Sequence, residues 1–397
     1  MPNLRPPGAF AIATAGLLSL AAAMGIGRFA FTPLLPLMAR AGQLVLAFGG
    51  WVAAANYAGY FVGALTAARL PLGARALGLL ALAATALLTG AMAWPLPAGW
   101  LVLRFAAGVA SAWVFVATSV WCLGALARAG RPQWGGWVYA GVGAGIALTG
   151  ACCLAGATAG LSAEALWVLL GVLCALLMLP VAVVVRRLAP APSPTGARQE
   201  DGALASGTTG LVVCYGLMGF GYILPATFLP ALARSVVDDP RLFGLAWPVF
   251  GATAAASTVL AGWWMRRATR LRVWATSQLL MGLGVLLPSL RLNGATVALS
   301  ALLVGGTFMV ITLVGVQEMR ARSPGHATRL VGRITAAFAL GQIAGPVASA
   351  LLLHSAGLAP RGLALALQAG ALGLIASGAW LWRRSSVLAP SQETARV

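Results

Sequence analysis

Two arginines stand inside otherwise oily sequence. Arg28 lies in "AMGIGRFAFTPLLPLMAR" and Arg104 in "RFAAGVASAW". A charge near the centre of a bilayer costs about 2.5–3.5 kcal/mol on insertion scales, so such a residue faces a partner, a wet cavity or a ligand. The planar donor fork of Arg28 suits a carboxylate or a similar anion, which makes it a candidate to hold an anionic group of a substrate. The competing role is local: Arg28 could satisfy backbone carbonyls freed near Pro33 and Pro36, or extend to the interface. For Arg104, near the outer end of its helix and on one face with Gly108 and Ser111, reaching the interface is the stronger competitor. Asn56, Tyr57 and Tyr60, with Gly59 and Gly63, form a polar patch among small residues, and Gln342 sits between Gly341 and Gly345. Asn and Gln in helical bundles more often join helices than bind ligands, each bond being worth about 0.6–2 kcal/mol.

Other chemistries are missing. The carboxylates Glu164, Glu200, Asp201, Asp238, Asp239, Glu318 and Glu393 fall in loops or at helix ends, so no acidic proton carrier is expected near the midplane. His354, near the outer end of its helix, is a possible titrating group in the useful range, or equally a surface residue. No phosphate-cradling loop, nucleophile triad or metal-ligand spacing is visible, so an enzyme, a cofactor and a bound metal are not expected. Cys122, Cys152, Cys153, Cys174 and Cys214 read as small buried apolar residues.

The elements that carry these residues are transmembrane helices. The 397 residues are 60% hydrophobic and 8% charged, with a mean hydropathy of +0.91. A soluble domain needs about a quarter charged residues. Twelve apolar runs, from Phe10–Met38 to Gly362–Leu381, are each near the roughly 20 residues that span a bilayer. Phe10–Ala23 resembles the core of a signal peptide, but no clean cleavage site follows and the run continues through Arg28, so it reads as the first spanning helix.

The net charge of +19 comes from 26 basic residues that are all arginine. Most fall on segments that a cytoplasmic N-terminus places inside, whereas Arg40, Arg234, Arg241, Arg291 and Arg361 fall outside. That asymmetry predicts both termini in the cytoplasm and points to lipid, not nucleic acid, as the partner of the basic charge.

A repeat organises the twelve. Met24, Gly25, Gly27, Pro36 and Arg40 return in one register as Met218, Gly219, Gly221, Pro230 and Arg234, six helices later and therefore in the same direction. Parallel repeats of this kind relate the halves of major facilitator transporters. The division predicted is a six-helix bundle over 1–186, a polar linker over 187–209 and a second bundle over 210–397. Taken as α-helix, Gly25, Arg28, Thr32 and Pro36 form one stripe, and Gly219, Tyr222, Ala226 and Pro230 form its counterpart. These stripes would bring Arg28 and Tyr222 to matching positions across a central cavity, with Thr32, Asn56, Tyr60 and Gln342 as further substrate-contacting candidates.

The chain resembles the major facilitator superfamily across nearly its whole length. "RFAAGVASA" is similar to the superfamily's helix-4 motif, which implies a coupling role for Arg104 and Gly108. "GVGAGIALTG" is similar to the helix-5 antiporter motif, with Ile146 where that motif has Pro. "GQIAGPVAS" carries Gly345 and Pro346 at the corresponding place in helix 11, which implies a gating role for them. The loop-2/3 signature is degraded in "GALTAARLPLGAR", where Ala67 occupies the usual Asp position. "MGIGRFAFTPLLPLM" and "GWVAAANYAGYFVGAL" resemble the opening of the YbfB/YjiJ-type branch. The expectation is a monomeric secondary transporter of the bacterial inner membrane. It would move a small organic solute, an anion being the form Arg28 suits, with a coupling proton or other ion left open. An exporter of hydrophobic or cationic compounds is the alternative, and a sensor or scaffold without flux a third.

Overall fold

A computed structural model describes residues 7–188, 208–234, 240–322, 326–354 and 361–387, and every regular element among them is helical. The first helix, α1, runs over Ala9–Arg40. It is followed by α2 (Leu46–Thr66), α3 (Ala74–Ala91), α4 (Pro97–Arg128), α5 (Gly135–Thr158) and α6 (Ala163–Arg187). The second six are α7 (Thr208–Arg234), α8 (Pro240–Trp264), α9 (Arg270–Leu290), α10 (Gly294–Arg322), α11 (Ala327–His354) and α12 (Gly362–Val387). Most of the expected linker, 189–207, lies outside the described residues, as do Glu200, Asp201, Asp238, Asp239, Glu393 and the side chain of His354.

Local chemistry sets several helix ends. Pro97 opens α4, where a missing N–H costs nothing. The Ser162 hydroxyl accepts from the Ala165 amide at the start of α6, and Thr269 does the same for Arg272 at α9. Gly42, Gly130 and Gly160, with φ of +70°, +66° and +75°, let the chain leave α1, α4 and α5 through the left-handed region.

Ten helices are long and apolar enough to cross a membrane by length and composition. Among the described residues, α2 and α8 fall below that measure. Both are rich in Gly and Ala, and both lie where the first six helices meet the last six: α5 packs on α8, and α2 on α11. At the first seam a Cβ added to Gly143 would sit 2.3 Å from the Ala255 amide nitrogen, and one added to Gly251 2.3 Å from that of Ala147. Small residues there permit backbone contact that larger side chains would prevent. Within the first six helices α2 lies equally close on α4, where a Cβ on Gly108 would be 2.2 Å from the Asn56 carbonyl oxygen.

Candidate functional site

The middle of α1 is not α-helical. Ala21–Arg28 forms a π-helical segment between α-helical Ala9–Leu20 and Phe31–Arg40. Wide turns of this kind leave carbonyls without regular intrahelical partners, and inside a membrane those must be met by neighbouring helices. Three neighbours do so. Cys174 of α6 donates to the Ala22 carbonyl at 3.5 Å, and Thr149 of α5 to Gly25 at 3.2 Å. Arg104 of α4 donates from Nη1 to Gly27 at 2.8 Å and from Nη2 to Arg28 at 2.7 Å.

Arg104 is therefore not at the interface. Only 3% of it is exposed, and its guanidinium carries out the carbonyl-satisfying role that the sequence left open for Arg28. Asn56 supports it from α2, donating Nδ2 to the Arg104 carbonyl at 2.9 Å, the helix-joining role expected of an amide.

The π segment also separates Gly25 from Arg28, two members of the expected stripe. Gly25 faces α5, where an added Cβ would lie 2.3 Å from the Gly145 Cα. Arg28 faces α2 and α11 instead, while Thr32 and Pro36 are only half-buried. In a wider helix, residues three apart no longer share a face. The second copy differs as well, because α7 is one unbroken α-helix. The partner that stabilises the π segment has no analogue there: α10, the counterpart of α4, carries no arginine before Arg320.

Arg28 itself is 3% exposed. Its Nη2 donates to Gln342 Oε1 on α11, and its guanidinium lies over the Tyr60 ring at 3.7 Å from the centroid. Nε and Nη1 have no hydrogen-bond partner among the described residues. The described carboxylates do not neutralise it. Glu164 accepts from Gln43 at one end of the molecule, and Glu318 pairs with Arg270 at 2.9 Å and Arg322 at 2.8 Å at the other.

Aromatic side chains extend from Arg28 in a chain of contacts that closes on itself. Phe29, 5.5 Å from the guanidinium carbon, meets Trp247 of α8 edge-on at 6.4 Å. Trp247 stacks on Phe250 at 5.5 Å, Phe250 on Phe308 of α10 at 5.4 Å, and Phe308 on Tyr222 of α7 at 4.9 Å. Tyr222 contacts Phe338 of α11 at 6.1 Å, and Phe338 returns to Arg28 at 6.0 Å. The hydroxyl of Tyr222, Nε2 of Gln342 and Nε1 of Trp247 are buried without partners among the described residues.

Of the expected residues, Arg28, Tyr60, Tyr222 and Gln342 thus converge on one region, and Asn56 reaches it through Arg104. Gly108 packs α4 on α2. Gly345 packs α11 on α7, against Ile223, and Pro346 stands half-buried inside α11. The four residues assigned to coupling and gating do not form one cluster. Trp247, Phe250, Phe308 and Phe338 were not legible beforehand, since an aromatic residue in an oily helix looks alike whether it meets lipid or protein.

Among the described residues, twelve long helices, two seams between the first and last six, and a polar region between them are the architecture of the major facilitator type. The chain belongs to the family described as "Uncharacterised MFS-type transporter YbfB", whose model matches residues 20–381. Among solved structures, that of the human organic anion transporter MFSD10 (TETRAN) is similar, with a TM-score of 0.66 at 17% identity. The match covers 95% of this chain and 100% of that one, a likeness of fold. A search of curated proteins by sequence finds no match. The protein is a multi-pass membrane protein of a transport family.

Proposed function

We propose that this chain is a secondary transporter that carries a small organic anion across the bacterial inner membrane, with Arg28 as the anchor for the anionic group. The observation that carries this reading is a buried guanidinium with two donors unpartnered among the described residues, no described carboxylate beside it, and a second buried cation, Arg104, bonded to the Arg28 backbone carbonyl. A desolvated charge of that kind is stabilised by an anion that completes its hydrogen bonds. The arrangement proposed is two six-helix halves, 1–186 and 210–397, joined by a cytoplasmic linker over 187–209, with twelve spans and both termini inside. The halves would rock about the region between Arg28 and Tyr222, as parallel-repeat transporters do. The description of MFSD10 as an organic anion transporter accords with the reading but does not carry it.

Proteoliposomes containing the protein should take up labelled organic carboxylates and not the corresponding amines, and Arg28→Gln should abolish that uptake while the protein stays monodisperse. Preferential movement of amines would favour the exporter of cationic compounds. Absence of flux for either class would favour the scaffold.

A further inference from the structure

We infer that Gln342 is a built-in stand-in for the substrate's carboxylate: it holds Arg28 when the site is empty, and the incoming carboxylate displaces it. The inference rests on the anion reading above and specifies how that site is used. Arginine has donors only, so the amide oxygen of Gln342 must be the atom facing Arg28. Its Nε2 is then left without a partner, as observed. The buried atoms unpaired around Arg28 form a consistent set. Arg28 Nε and Nη1, Gln342 Nε2 and the Tyr222 hydroxyl can all donate.

An amide oxygen meets one arm of the guanidinium. A carboxylate, with roughly four acceptor positions, can take the fork bidentately and leave oxygens for the remaining donors. A bidentate pair between two ionised groups is stronger than a single bond from the guanidinium to a neutral amide, so the exchange favours a carboxylate over its own amide or ester. The consequence is mechanical as well as chemical. Arg28 lies on α1 and Gln342 on α11, so their bond ties the first six helices to the last six in the middle of the molecule. Displacing Gln342 removes that central tie. The neighbouring chain of stacked rings, Tyr222, Phe308, Phe250 and Trp247, provides flat apolar contact for the body of such a ligand.

The test uses the full chain in lipid nanodiscs, with 2-naphthoate as probe and 2-naphthamide as control. Binding of naphthoate but not naphthamide, lost in Arg28→Gln, is the anion reading itself. Its absence would overturn both that reading and the present inference. Given such binding, Gln342→Leu should tighten it about tenfold, because no internal acceptor has to be displaced. Gln342→Glu should weaken it at least tenfold, because a tethered carboxylate now occupies the fork. Spin labels on Val102→Cys of α4 and Leu299→Cys of α10 give a second measurement, since both positions face outward. Naphthoate on the native side chain and Gln342→Leu without ligand should shift the label distance in the same direction. Unchanged or weaker binding in Gln342→Leu, with Arg28 dependence intact, would overturn the stand-in while leaving the anion site. A label distance that responds to naphthoate but not to Gln342→Leu would overturn it equally.

Discussion

An arginine with no carboxylate beside it among the described residues is held by geometry: an amide oxygen, an aromatic face and a shell of other rings. For Arg28 the Tyr60 face contributes about 0.5–2 kcal/mol, and the planar cation is what stacks there. Arg28→Lys keeps the charge but loses both the stack and the fork. It should weaken carboxylate binding about tenfold, or about 1.4 kcal/mol, without abolishing it. Titration calorimetry with the naphthoate probe would measure this, and unchanged affinity would remove Arg28 from the site. Arg104 makes a different prediction. Replacing it with Leu strands two carbonyls, at a cost of about 1–3 kcal/mol each. A lowered melting temperature and equal loss of driven transport and counterflow exchange should follow. Loss of driven transport alone, with exchange intact, would instead assign Arg104 the coupling role that its motif implies.

At the scale of the element, the π segment exists because α4, α5 and α6 all supply donors to it, and because Gly25 lets α1 approach α5 closely. A Cβ at Gly25 would fall 2.3 Å from the Gly145 Cα and 2.8 Å from the Ile146 nitrogen, both backbone atoms that cannot swing aside. Gly25→Val should therefore cost about 1–3 kcal/mol through overpacking, seen as a lower unfolding temperature in detergent. Gly90→Val, with nothing within 4 Å of its Cβ position, serves as the control and should be near neutral. An equal drop at both positions would mean that the close contact is not what limits stability. The same reasoning explains why hydropathy falls short at α2 and α8. A helix buried on its neighbours need not be greasy, and small residues there enable packing instead of lipid contact.

At the scale of the whole molecule, a second link joins the first and last six helices far from Arg28. Arg320, near the end of α10, donates Nη1 to the Ser119 carbonyl and to that of Val120 at 3.2 Å, both on α4. Ser119 Oγ in turn meets the Tyr139 hydroxyl at 2.6 Å. On the proposed topology this latch closes the cytoplasmic end. Arg320→Ala should therefore speed maleimide labelling of a cysteine placed at Gln317, beside Gly135 of α5; an unchanged rate would show that the latch does not gate access. The topology has its own check. A reporter fused after Arg198 should be cytoplasmic and one inserted at Asp238–Asp239 periplasmic, and the opposite compartment for either would break the twelve-span arrangement.

Composition and spacing were enough to read the membrane class and the succession of twelve helices, and to single out Arg28 as a charge in oily sequence, because these depend on the solvent each segment requires and on order along the chain. The roles of Arg28 and Arg104 were not separable that way. Both are lone charges in oily sequence, and which of them meets freed carbonyls depends on the backbone of α1 and on what lies beside it. The change from α to π winding was hidden for the same reason: it is stabilised by Arg104, Thr149 and Cys174, which come from three other helices. The pairing of Arg28 with Gln342, and the ring of aromatics that closes on it, join residues hundreds of positions apart. Only the packing of the last six helices on the first six selects those neighbours, since many oily faces of similar composition could have met there.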